Sequence, residues 1–136
     1  MLDLGTGSGV VGIAAAKAGA GKVMVCDIDP FALDSSSANA LLNNVAIDLL
    51  DDLERLTKRV DLLIAADVLY DFDNLPWLTD LQHYADEILI ADSRIRDKRL
   101  FSDYQHIAQR RATTIPDLDE YREFSDVNIY YWANHP

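Results

Sequence analysis

Short apolar runs alternate with longer stretches of helical period along this chain to about residue 110. Runs rich in Val, Ile or Leu fall at residues 1–4, 22–26, 45–49, 60–65 and 87–91, each the length of a buried strand. Between them apolar positions return every three or four residues, which predicts helices over 9–18, 30–43, 75–84 and 97–110. Two more strands, 112–115 and 127–132, complete a set of seven, and the Tyr and Val of the second suit an edge or penultimate strand of a mixed sheet. The alternation predicts an α/β fold: a doubly wound, mostly parallel seven-stranded sheet with helices on both faces and an antiparallel last strand. Helix ends are marked too. Asp29 before Pro30 is an N-cap followed by proline at the first helical position, and Gly19 with Gly21 ends the preceding helix. Residues 116–125, with four acids, read as a connecting loop.

Composition narrows the partners more than it changes the fold. The 136 residues, 49% of them apolar, have the size of one domain, 1–136. No apolar run approaches the roughly 18 residues of a membrane span, so no membrane partner is expected. Residues 1–20 carry Asp3 and five glycines without a basic leader, a poor secretory signal. The lone Cys26 sits in an apolar strand, where it reads as a buried, inert thiol suited to a reducing cytoplasm. His83, His106 and His135 show no ligand spacing, so no metal is expected. A net charge of -11 works against a nucleic-acid partner. Arg94, Arg96, Lys98, Arg99, Arg110 and Arg111 read as a solvated helix face rather than a phosphate patch. Nothing in the sequence fixes an oligomeric state.

The candidate chemistry begins at Asp3-Leu4-Gly5-Thr6-Gly7-Ser8-Gly9, which follows the first strand and opens an alanine-rich helix. Glycines there let backbone turn sharply and approach a ligand, which implies a cofactor site. Gly7-x-Gly9-x-x-Gly12 also satisfies the dinucleotide fingerprint, so the turn alone fits two cofactors. Asp27, closing the second strand, can accept hydrogen bonds from both hydroxyls of an adenosine ribose, which either cofactor needs. Asp3 tips the balance, because a carboxylate there repels a pyrophosphate yet suits the cationic amino group of S-adenosyl-L-methionine.

The Asp3-x-Gly5-x-Gly7-x-Gly9 turn and the Val25-Cys26-Asp27-Ile28-Asp29-Pro30 stretch resemble motifs of the class I, seven-β-strand methyltransferases, a Rossmann-like fold. The resemblance implies that Asp3 lies near the methionine end, that Gly5, Thr6, Gly7 and Gly9 pass under the cofactor, and that Asp27, with Ile28 beside it, holds the ribose. Asp29 competes for that role but is explained more simply as a helix cap. After the third strand the resemblance implies an acceptor for the adenine amino group. Asp51 is the choice over its neighbour Asp52, although both also suit an acidic helix start.

Ligands of open α/β sheets sit beyond the carboxyl ends of the strands, which points to the Ala65-Ala66-Asp67-Val68-Leu69-Tyr70-Asp71 edge of the fourth strand. Small Ala65 and Ala66 leave room for the cofactor. Asp67-x-x-Tyr70 resembles the acid-x-x-aromatic signature of the protein lysine methyltransferases, whose bacterial relatives include enzymes acting on an electron-transfer flavoprotein subunit. The first 47 residues are similar to bacterial ribosomal-protein lysine methyltransferases as well, and the fourth strand favours the former. The Asn-Pro-Pro-aromatic motif of enzymes methylating nucleic-acid bases is absent. The resemblance implies methyl transfer to a protein lysine, with Asp67 orienting the amine and Tyr70 lining the channel. Trp77, at helical spacing with Leu75, Leu78 and Leu81, reads as core. Family members carry residues before the glycine motif that lid the cofactor, and this chain is expected to lack that region. Two other readings stay open: a small-molecule N- or O-methyltransferase of the same fold, and an NAD-dependent oxidoreductase or nucleotide-binding module.

Overall fold

The computed structural model describes residues 1–69, 76–95, 97–113 and 124–134. Its strands are β1 (Leu2–Leu4), β2 (Met24–Cys26), β3 (Asp48–Leu50), β4 (Val60–Ala66), β5 (Ala85–Asp92), β6 (Gln105–Arg111) and β7 (Asp126–Ala133). They form one seven-stranded sheet in the order β3-β2-β1-β4-β5-β7-β6. β1 to β5 run parallel, and β7 is antiparallel to both β5 and β6, so the reversed last strand is second from the edge. The helices are α1 (Val10–Lys17), α2 (Pro30–Leu42) and α3 (Trp77–Asp80), with 3-10 turns at Leu53–Arg55, Leu81–His83 and Lys98–Phe101.

Register sorts the two faces. Leu2 pairs with Leu63, Leu63 with Ile88 and Ile88 with Trp132; Leu4, Ala65, Ile90 and Tyr130 form the parallel row beside them. Leu78, Leu81, Phe101 and Tyr104 close on these rows as the main core. Phe101 stacks on Tyr130 at 3.9 Å between centroids, and the Tyr104 hydroxyl donates to the Leu78 carbonyl at 2.6 Å. α1 covers the opposite face so tightly that a Cβ on Gly12 would lie 2.6 Å from Val25 Cγ1. α2 packs beside α1 on that face, while Leu78 of α3 closes on the main core, so helices flank both faces.

α2 starts as expected, with Asp29 accepting from the Phe31 N–H at 2.9 Å and Pro30 next. Three predicted elements are corrected. The third strand begins at Asp48 rather than residue 45, because the Val45 N–H bonds to the Ala40 carbonyl and Asn44 adopts φ +55° while closing α2. The helix predicted at 97–110 is a single 3-10 turn followed by β6. Phe101 and Tyr104 do enter the core at helical spacing, but beyond them the free edge of β7 offers a backbone ladder that a helix would forgo. Of the strand predicted at 112–115, residues 112 and 113 lie past β6, with Ala112 donating its N–H to the Ser125 carbonyl, and residues 114 and 115 lie outside the described residues. The helix predicted at 75–84 is α3 with its 3-10 extension over the described part, and most of the acidic loop, 116–123, lies outside the described residues.

Candidate functional site

The carboxyl ends of β1, β2, β4 and β5 open on one edge, where Gly5, Gly7, Asp27, Ile28, Asp52 and Asp67 border a cleft of about 730 Å³. The glycine turn is built from below. The N–H groups of Gly5 and Thr6 both donate to the Cys26 carbonyl, at 2.8 and 3.1 Å, tying the turn to the end of β2. Asp3 sits inside it, 2% exposed, its Oδ2 accepting from Thr6 Oγ1 at 2.6 Å and from the Gly12 N–H at 2.9 Å. Burial pushes its carboxyl above the usual carboxylate range, against the pull of those two bonds. Asp3 and Thr6 therefore brace the turn and are not among the residues bordering the cleft.

Two glycines do different work. Gly7 has φ +54° and open space where a Cβ would stand, so it presents bare backbone to the cleft. Gly9 has φ +83°, and its missing Cβ would lie 2.9 Å from Ser36 Oγ, so its role is to admit α2. α2 in turn holds the turn from above: Ser36 Oγ donates to the Gly7 carbonyl at 3.0 Å and Asn39 Nδ2 to the Ser8 carbonyl at 2.8 Å.

Asp27 faces the turn across the cleft. Its Oδ2 accepts from the Gly7 N–H at 2.9 Å and its Oδ1 from the Asp29 N–H at 3.0 Å, which fixes the carboxylate while leaving each oxygen further accepting capacity. Ile28 beside it is 86% exposed and offers an uncovered apolar surface. Cys26 lies on the floor, where burial pushes its thiol up to about 11. Asp51 points elsewhere: both its oxygens take Arg55 Nη1 at 2.7 Å on the surface, which lowers its pKa. The neighbouring Asp52 borders the cleft and caps the 3-10 turn through the Glu54 N–H.

On the far side Asp67 lines the cleft, whereas Ala66 does not. Asp67 has φ +55°, a left-handed conformation that costs a non-glycine residue of order 1 kcal/mol, and its N–H donates to the Ala91 carbonyl at 2.9 Å. Arg94 Nε lies 3.5 Å from Asp67 Oδ1, and the guanidinium sits 4.9 Å above the Phe124 ring. The buried Asp92 shapes this loop, its Oδ1 accepting from the Arg94 and Ile95 N–H groups at 2.8 and 2.6 Å. Tyr70 lies outside the described residues. Trp77 is partly core, as expected, and also borders the cleft.

The basic residues do not share a helix face. Arg94 meets Asp67, Arg99 pairs with Asp97 at 2.7 Å, and Arg110 and Arg111 lie on β6; Arg96 and the side chain of Lys98 lie outside the described residues. Among the described residues no group of three His, Cys, Asp or Glu is placed to hold a metal ion, and no helix is long and apolar enough to cross a membrane. Sequence reasoning missed the roles of Ser36, Asn39 and Arg94, and it preferred Asp51 to Asp52. The first two carry a signal, polar residues three apart on the helix after the glycine turn, while Arg94 is marked only by its place just beyond a strand end.

The sheet order, with β7 reversed between β5 and β6 and a glycine turn facing an acid across the ends of β1 and β2, defines a class I methyltransferase fold. Residues 1–76 match the profile of the ribosomal protein L11 methyltransferase family (PrmA), and the chain belongs to that family. It is 44% identical over 69 residues to the ribosomal protein L11 methyltransferase of Syntrophotalea carbinolica, covering 48% of this chain and 22% of that protein. The counterpart from Pelotomaculum thermopropionicum is 44% identical over 77 residues, covering 52% and 25%. The chain thus spans about a quarter of the length of the curated relatives it matches. The crystal structure of ribosomal protein L11 methylase from Lactobacillus delbrueckii superposes with a TM-score of 0.75 at 22% identity, covering 98% of this chain and 69% of that one. Magnesium protoporphyrin IX methyltransferase from Synechocystis, with bound SAM, gives 0.75 at 19% identity with the same coverage. Those two likenesses show the fold.

Proposed function

We propose that this chain is the S-adenosyl-L-methionine-binding part of a protein methyltransferase whose acceptor is a lysine amine. The observation that carries the reading is the Asp27 carboxylate, fixed by the Gly7 and Asp29 N–H groups and facing a cleft shared with Asp67, in a chain of the L11 methyltransferase family. The residues fit the cofactor: Asp27 has free lone pairs for two vicinal hydroxyls, bare Gly7 backbone lies beside it, and exposed Ile28 offers an adenine an apolar face. When bound, S-adenosyl-L-methionine supplies an electrophilic methyl group.

In this reading Asp27 orients the ribose, and Gly5 and Gly7 let the cofactor lie against backbone. Asp52 takes the adenine role first given to Asp51, whose carboxylate is occupied by Arg55. Asp3, Thr6 and Gly9 act through the shape of the turn. Asp67, aimed into the cleft by its left-handed backbone, accepts an N–H of the acceptor amine and points the nitrogen lone pair along the line of transfer. A protein acceptor is supported by the family and by the Asp67 motif. The finer kinship with enzymes acting on an electron-transfer flavoprotein subunit rests on Tyr70 as well.

Calorimetry with S-adenosylhomocysteine and with NAD tests the cofactor. The homocysteine form should bind, and Asp27→Ala should weaken it by about 1–3 kcal/mol. NAD binding alone would sink the reading. Labelled methyl donor, offered with ribosomal protein L11 and with the electron-transfer flavoprotein, should mark a protein band. Label found only in extractable small molecules would move the acceptor to another class.

A further inference from the structure

We infer that Arg94 is a positioning residue that offsets the negative charge around the acceptor nitrogen, so that a lysine amine can lose its proton while Asp67 still orients it. This rests on the lysine reading above. The described residues bordering the cleft include Asp27, Asp29, Asp52, Glu54, Asp67 and Asp80 and no Lys or Arg. Such a field poses a chemical conflict. It attracts a lysine side chain, but an anion beside an amine favours the charged ammonium, which has no lone pair to give. The acceptor nitrogen must release a proton to solvent before its lone pair forms the new N–C bond, while the C–S bond of the donor breaks and its electron pair stays on sulfur.

Arg94 is placed to resolve this. Its Nε stands 3.5 Å from Asp67 Oδ1, and the guanidinium is steadied over Phe124 at 4.9 Å. Its backbone is set by the carboxylate of Asp92, a residue 2% exposed. At 46% and 59% side-chain exposure the Asp67–Arg94 pair contributes little to stability. The contact also leaves Asp67 with oxygen lone pairs for an incoming N–H. The guanidinium beside Asp67 opposes the pull of that carboxylate on a neighbouring ammonium and so lowers the ammonium pKa.

Arg94→Gln and Arg94→Lys, compared with the wild type using ribosomal protein L11 as acceptor, test the assignment. In Arg94→Gln the acid limb of kcat, which reports the bound state, should move up by about one pH unit, roughly tenfold less turnover on that limb. The kcat/KM limb should stay in place, and Arg94→Lys should restore the kcat limb. Affinity for L11 at pH 7 in the presence of S-adenosylhomocysteine, read by calorimetry, should tighten several-fold in Arg94→Gln, because the acidic cleft then holds the ammonium better. A purely structural Arg94 would lower activity without moving the limb or tightening the complex. An unmoved limb or an affinity that fails to tighten overturns the inference alone. A wild type that methylates no L11 at any pH brings down the lysine reading on this probe, and the inference with it.

Discussion

At the β1–β2 end of the sheet the polar groups of the turn are paired, whereas at the β4–β5–β7 end two buried ones are not. Asp3 serves two donors, the Cys26 carbonyl serves two more, and α2 bonds the turn from above. Across the cleft, Asp92 Oδ2 and Tyr130 Oη are buried without a partner among the described residues, and Asp67 is held by one exposed ion pair at 3.5 Å. An unmet buried polar group costs roughly 1–3 kcal/mol, so the second end is the less stabilised of the two. The contrast separates two tasks. The glycine turn has its geometry before any ligand arrives, and the β4–β5–β7 end keeps buried polar capacity that ordered water can meet.

The most damaging way to break this comparison is Asp3→Ala, which strands the Gly12 N–H and the Thr6 hydroxyl in the interior. Denaturant unfolding should show a loss of about 2–4 kcal/mol. A loss below about 1 kcal/mol would mean the turn does not depend on Asp3. Asp3→Asn keeps an acceptor and removes the charge, and its effect depends on pH. Because burial raises the Asp3 pKa on folding, the folded chain keeps a proton that the unfolded chain has released. The associated stabilisation is complete below the unfolded value near 4 and is lost as pH rises through the raised one. Asp3→Asn should flatten that fall, a change read from melts at several pH values. Tyr130→Phe sharpens the comparison from the other end. Removing a hydroxyl without a partner, and keeping the ring on Phe101, should be neutral or stabilising by up to about 1 kcal/mol. A clear loss would show that the hydroxyl is satisfied in solution. Asp51→Ala should do least, leaving both the denaturant midpoint and S-adenosylhomocysteine binding unchanged, since its partner is the exposed Arg55.

The half of the molecule that was legible in the sequence is the well-bonded half. Local signals coincide there: the glycines, the Asp29-Pro30 cap and the apolar runs of β1, β2 and β4 all favour the structure they occupy. Asp27 was readable because one residue both ends a strand and faces the turn. Sequence shows the charge of Asp3 but not that Thr6 and Gly12 both bond to its Oδ2. Asp51 and Asp52 are chemically alike, and only the reach of Arg55 separates them. Beyond residue 97 the apolar spacing of Leu100, Tyr104 and Ile107 imitates a helix, while the strand is decided by an edge supplied some twenty residues later. A register of that kind is a long-range fact, and no window of sequence contains it.

β7 lies between β5 and β6 although it follows both in the chain. During synthesis β6 therefore emerges before the strand it pairs with, and β5 keeps one bare edge over the same interval. The parallel part of the sheet can assemble as its crossovers are made, but the last three strands must close together, with β7 threading into a slot already flanked. Interruption before residues 126–133 would leave two open edges side by side, a state prone to join other chains. Chains ending just before β7 should be the most aggregation-prone truncations of this protein.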